Sequence, residues 1–177
     1  MRAIYLTGEL IYLRAMVASD KDHAAAWFPG PFPIDASRAE AFLKESHENL
    51  FARERDFAIV RRSLDEITGG AHVSMTGNHA RVRLRTAPWV TDGASLRAEA
   101  LDLLARWLVD ESEHVTATFE IPADDAEVIE RAQALGLVHG ARLREFIARP
   151  GGRVDLLLMQ KLNPYWVERE RQQVPNA

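Results

Sequence analysis

Cysteine is absent from the 177 residues. With it go disulfides, thiolate nucleophiles, cysteine-ligated zinc and iron–sulfur clusters. The six histidines are scattered and include no His-x-x-x-His pair or comparable spacing, so the pattern gives no reason to expect a metal site. Neither charge sign dominates. The formal net charge is -4, which supplies no overall field for nucleic acid or for an anionic membrane. Long apolar runs are also missing. The opening "MRAIYLTGELIYLRA" is interrupted by Gly8, Glu9 and Arg14, so it reads as neither a signal peptide nor a membrane span, and a cytoplasmic location is the default expectation. What remains is a chain 47% hydrophobic and 27% charged, a balance that suits one domain with its own core and argues against disorder.

"GELIYLRAM" alternates and predicts a first strand. Ser19 and Asp22 have capping-box spacing before a short helix through Trp27, which the proline-rich stretch from Pro29 to Pro33 ends. Ser37 and Glu40 repeat that spacing, and Ala39, Phe42, Leu43, Ser46, Leu50 and Phe51 then share one helical face. "DFAIVRR", "GGAHVSM" and "HARVRLRTAPWV" predict three strands, with turns around Ser63 to Glu66 and at Gly77-Asn78. The next helix, after Gly93, carries Leu96, Ala100, Leu103, Leu104, Trp107 and Leu108 as one apolar stripe. "HVTATFEIP" alternates as a strand. Asp124 and Glu127 then cap a helix that ends at Gly136, and a last hairpin turns at Pro150-Gly151-Gly152. No repeat, linker or low-complexity segment interrupts this order. The expectation is a single α/β (α+β) domain over 1–166, with a mixed, mostly antiparallel seven-stranded sheet flanked by about four helices, and a charged, fraying tail over 167–177.

"PWVTDGASLRAEALDLLARWL", Pro88 to Leu108, is a strand, a tight turn and a helix start. That arrangement holds phosphates with backbone N–H groups. The N–H groups of Gly93, Ala94, Ser95, Leu96 and Arg97 would face such a ligand, Ser95 adds a hydroxyl and Arg97 a cation. Asp92 works against it, because its carboxylate would cap the helix, occupy those donors and repel a phosphate. The turn is therefore either a diphosphate cradle or a capped helix start with no ligand. Separately, His79, Arg81, Arg83 and Arg85 alternate along one strand and form one cationic face. It attracts an acidic ligand or nucleic acid, or else is a solvated or interface face.

Taken in order, these elements resemble the GNAT superfamily of acetyl-CoA-dependent N-acetyltransferases, and within it the RimJ/RimL branch. The resemblance runs from about Gly8 to Trp166. It is carried by "LIYLRAMVASD", by "GASLRAEALDLLARWL" with Glu99-Ala100, and by Leu135-Gly136-Leu137, Gly140, Leu143-Arg144 and Asp155 in the last third. There are departures. Where the family's pyrophosphate loop begins with Gln or Arg and ends on a second glycine or alanine, this chain has Val90 and Ser95. The branch's loop asparagine falls at Asp125, and Leu158 stands about where a tyrosine often serves as general acid.

The resemblance implies transfer of acetyl from acetyl-CoA to a primary amine, on a protein N-terminus or a small molecule, by direct attack in a ternary complex. It also implies a splay between strands four and five into which the cofactor fits. There Trp89 and Val90 would supply N–H donors, since Pro88 has none, with Gly93, Ala94, Ser95, Leu96 and Arg97 at the diphosphate. Trp27, Phe28 and Phe32 would line the acceptor pocket, or fill the core under the proline-rich loop. Glu120 and Asp125 are the catalytic candidates. Glu120 lies on the strand face opposite Val115, Ala117, Phe119 and Ile121, either in the cleft or in solvent. Asp125 is either part of the chemistry or a helix cap. His72, His114 and His139 titrate in a useful range, but the sequence singles out none of them. By analogy alone, a homodimer through the last two strands is expected. The rival reading is a non-catalytic domain of the same fold that binds or regulates, because the second glycine and the tyrosine are missing.

Overall fold

The two-residue period of the central strands gives the sheet one dry face. Ala80 and Val82, and Ala117, Phe119 and Ile121, are at most 2% exposed, while Arg81, Arg83 and Glu120 between them project from the other side. The computed structural model describes residues 4–28, 34–48, 53–112, 114–166 and 168. Eight strands, β1 (Ile4–Thr7), β2 (Ile11–Ala15), β3 (Glu54–Arg61), β4 (Glu66–Thr76), β5 (His79–Thr86), β6 (Thr116–Pro122), β7 (Val138–Arg149) and β8 (Gly152–Leu162), form one sheet. Its order is β1-β2-β3-β4-β5-β6-β8-β7. Neighbours are antiparallel except β5 and β6, which run parallel. The expected class is the observed one, with one strand more than expected. Ile4–Thr7 is too short to show alternation by itself, and becomes a strand by folding back on Ile11–Ala15.

The helices are α1 (Ala24–Trp27), α2 (Ala36–Glu48), α3 (Gly93–Ala105) and α4 (Ala126–Ala134), with a 3-10 helix over Ala18–His23 and a π turn over Arg106–Asp110. Helix α3 and the π turn that continues it lie on the dry face, where the stripe of Leu96, Ala100, Leu104 and Leu108 is fully buried, joined by Leu101 and Ala105. Trp107 completes it edge-on to Phe57, with centroids 5.8 Å apart. Glu99, at the middle of α3, accepts the N–H groups of Leu10 and Ile11 at 2.9 and 3.0 Å and so pins the β1–β2 turn. The other face of β3 and β4 carries a smaller core of Met16, Trp27, Leu43, Ala58, Val60 and Ile67 under α1 and α2. Gly70 permits that packing. A Cβ there would lie 2.8 Å from the Trp27 carbonyl oxygen, inside van der Waals contact.

Three helix starts differ from expectation. Asp20, not Asp22, closes the first cap by accepting the Val17 N–H at 2.8 Å, and the same group holds Arg14 at 2.6 and 2.9 Å with both side chains at most 2% exposed. Asp35, not Ser37, caps α2 through the Arg38 N–H at 2.9 Å, while Glu40 pairs with Lys21. Asp124 and Asp125 both stand before α4, and the Asp125 side chain makes no cap bond. Asp124 is taken by Arg149 at 3.0 Å and Asp125 by Arg97. Charge-assisted bonds to guanidinium outweigh a neutral backbone donor. Phe32, Leu50, Phe51 and the tail from 169 onward lie outside the described residues. Among the described residues no helix is long and apolar enough to cross a membrane.

Candidate active site

β5 and β6 pair only from His79/Thr116 to Arg83/Glu120. Beyond that rung β5 stays with β4 as far as Thr86/Gly69, and β6 stays with β8 as far as Pro122/Leu156. The two strands therefore part, and a cleft of about 950 Å³ opens between them. Its walls include Trp27, His72, Arg81, Arg83, Thr86, Val90, Gly93, Ala94, Arg97, Glu120, Asp125 and Phe146. Ala87 donates its N–H back to Thr68 on β4 at 2.8 Å. Strand alternation therefore turns the main-chain groups of Leu84 and Thr86 toward the gap. Sequence reading assigned the strand-edge donors to Trp89 and Val90 instead. The Val90 N–H is already spent on the Ala87 carbonyl at 3.0 Å, because the chain turns as soon as β5 ends. Trp89 sits on that turn, 59% exposed.

At the mouth of the cleft stands the N-terminus of α3. Gly93 and Leu96 donate to the carbonyls of Val90 and Asp92 at 3.3 and 3.2 Å. The N–H groups of Ala94 and Ser95 meet no protein acceptor among the described residues. The feared competitor is elsewhere. Asp92 makes no cap bond and its carboxylate is gripped by Arg61 of β3 at 2.6 and 2.5 Å, which lowers its pKa. Gly93 has no room for a side chain, since a Cβ would sit 2.5 Å from the Thr86 hydroxyl. Arg97 reaches across the gap, bonding Asp125 at 2.8 Å through Nε and the Thr86 hydroxyl through Nη1.

One row of side chains crosses the inner face. Asp56 of β3 is opposite His72 of β4, His72 is opposite Arg83 of β5, Arg83 is opposite Glu120 of β6, and Glu120 is opposite Leu158 of β8. Paired residues on adjacent strands share a face, so these groups stand side by side. Glu120 is in the cleft, not in solvent, with its side chain 7% exposed. Arg83 Nε donates to Oε2 at 3.1 Å. Arg81 Nε lies 2.5 Å from Oε1 without hydrogen-bond geometry, leaving Oε1 with no donor. Asp125 is neither cap nor free carboxylate, being the buried partner of Arg97. Thus both carboxylates anticipated as catalytic are bound to arginines.

His72 is different. Its Nδ1 meets Asp56 Oδ1 at 2.9 Å, and that hydrogen bond raises the imidazole pKa against the opposing effect of burial. Sequence reading named His72 without preference and missed Asp56 altogether, because the pair is 16 residues apart and only strand register joins it. His114 bonds Ser112 and Met75, and neither it nor His139 lines the cleft. Trp27 is a core residue, 2% exposed, that also reaches the cleft wall. Its indole N–H donates to the Asp20 carbonyl at 2.7 Å. Phe28 stacks edge-on with Phe42 at 5.4 Å and offers its carbonyl to Arg85. Among the described residues no cluster of His, Asp or Glu is arranged to hold a metal ion.

No family model matches the sequence, and no curated protein matches it significantly. Solved structures do. A protein of Sphaerobacter thermophilus DSM 20745, provisionally described as an acetyltransferase, is 47% identical, with 92% of this chain and 99% of that one covered and a TM-score of 0.74. The spermidine/spermine N-acetyltransferase of Vibrio cholerae is 16% identical over 90% of this chain and 96% of its own, at TM-score 0.67. The ribosomal-protein-S5-alanine acetyltransferase of Vibrio fischeri is 16% identical over 93% and 99%, at TM-score 0.65. The last two bear on the fold alone. With the splayed parallel pair, the open helix N-terminus at its mouth and the near-complete match to the Sphaerobacter protein, the chain belongs to the GNAT family of acetyltransferases.

Proposed function

We propose that this protein is an N-acetyltransferase of the RimJ/RimL type, which moves acetyl from acetyl-CoA to a primary amine by direct attack in a ternary complex. The observation that carries the reading is the Arg61–Asp92 pair. It draws the adjoining Asp92 carboxylate off the α3 N-terminus and leaves the Ala94 and Ser95 N–H groups open to a diphosphate. The Ser95 hydroxyl adds a third donor on the same turn. The gap beyond Arg83/Glu120 would receive the pantetheine arm, with the main-chain groups of Leu84 and Thr86 as its hydrogen-bonding edge. Bound there, acetyl-CoA supplies an already activated thioester, so the chain's main task is to hold the two reactants together.

The base in this reading is His72. Asp56 occupies Nδ1 and orients the ring, so Nε2 is the atom that takes the proton from the bound ammonium and frees the amine to attack. Glu120 and Asp125 hold arginines in place. Leu158 beside Glu120 offers no proton to the departing thiolate, and solvent does so. This is tolerable because a thiol of ordinary pKa, about 8.5, is a fair leaving group near neutrality. The names of the Vibrio neighbours carry a polyamine and a ribosomal-protein alanine, both amine acceptors, which supports the reaction type without choosing an acceptor.

Titration with coenzyme A tests the reading. Binding to the native state raises the melting temperature in step with ligand concentration, and thiol release follows when an amine is added to acetyl-CoA. No shift at millimolar ligand hands the case to a non-catalytic module of the same fold. A shift without thiol release from any amine leaves a binder.

A further inference from the structure

The cleft carries more positive than negative charge, and the excess is concentrated on β5. Arg81 and Arg83 share a single carboxylate, Glu120. They remain 53% and 52% exposed, and among the described residues their terminal nitrogens bond no protein acceptor. Every carboxylate that lines the cleft already has a hydrogen-bonding or ionic partner: Asp56 has the His72 ring, Glu120 has the two arginines, and Asp125 has Arg97. A polycationic amine would find no unpaired carboxylate here. It would also meet two guanidiniums, at a cost of like-charge repulsion in a partly desolvated site.

The cofactor's phosphates do not account for this pair. Their donors are at Ala94 and Ser95, past the end of β5, and Arg83 stands three strand residues before Thr86, about 10 Å back along β5. Arg83 is instead directly opposite His72. Side chains so paired start about 5 Å apart, and a planar guanidinium presents two parallel donors that match a carboxylate. We infer that the acceptor is an amine bearing a carboxylate a few bonds from its nitrogen, an amino acid in the general sense, with the carboxylate on Arg81 and Arg83 and the amine at His72. The inference rests on the transferase reading and names the substrate class for that same site.

The test uses the intact protein with acetyl-CoA and matched pairs of acceptors: L-alanine and β-alanine, the carboxamide of each, and spermidine. Thiol release gives kcat/KM for each, and melting shifts with coenzyme A present give binding whether or not turnover occurs. The expected result is a preference of at least tenfold for at least one acid over its amide, with spermidine poorest. In Arg81→Gln or Arg83→Gln that acid-to-amide ratio collapses toward one. If neither variant folds, the wild-type pairs decide. Turnover of spermidine or of amides at rates equal to the acids overturns the inference while the transferase reading stands. Acid-selective binding without any turnover does the reverse. No selectivity in either readout overturns the inference.

Discussion

Arg61, on β3, holds the carboxylate of Asp92 through both terminal nitrogens at 2.6 and 2.5 Å, across a sequence distance of 31 residues. This contact keeps the Asp92 carboxylate off the helix donors, and Asp92 makes no cap bond. Arg61→Ala releases Asp92 to approach its own helix donors and any phosphate there. Calorimetry should show coenzyme A binding weakened by about three- to tenfold, the scale of one charge near a helix terminus. Arg61→Ala combined with Asp92→Asn should recover most of the loss. Unchanged affinity in Arg61→Ala would remove the contact from the argument.

The Asp56–His72 bond gives the reaction a pH signature. Asp56 favours the imidazolium and raises the His72 pKa above its ordinary 6.5. A base must be neutral, so the rate should climb as pH rises through that elevated value and fall below it. Asp56→Asn removes the cause, and the acidic limb of the kcat profile should move to lower pH. His72→Gln should lower kcat about 100-fold or more, within the usual range for a general base. The same bond has a stability counterpart of opposite sense. It contributes fully below pH 6.5 and its contribution is lost as pH rises through the folded-state value.

Arg14 and Asp20 form an ion pair with side chains 1% and 2% exposed. Asp20 also accepts the Val17 N–H and presents its carbonyl to Trp27. Arg14→Met should leave a buried carboxylate without its cation and cost about 3–5 kcal/mol, read from the denaturant midpoint. Because Trp27 also walls the cleft, the variant should weaken acceptor binding more than coenzyme A binding.

Much of the fold was legible in the sequence because periodicity is a local signal. The stripe Leu96, Ala100, Leu104 and Leu108 is buried as its spacing requires, and the alternation of Ala117, Phe119 and Ile121 by itself puts Glu120 on the other face. β1 was missed because Ile4–Thr7 has only four residues. Caps were misassigned at Asp22, Ser37 and Asp124 because the spacing rule only names candidates: Asp20 and Asp35 take the backbone donors at the first two starts, and Arg149 claims Asp124.

The sequence by itself determined the class of fold, the order of its elements and the turn of small residues at the start of α3, since each follows from neighbours along the chain. Tertiary structure alone decided which donors that turn leaves open and which carboxylate orients the His72 ring. Those outcomes depend on Arg61 meeting Asp92 and on Asp56 meeting His72, side chains that only strand pairing and helix packing bring within hydrogen-bond reach.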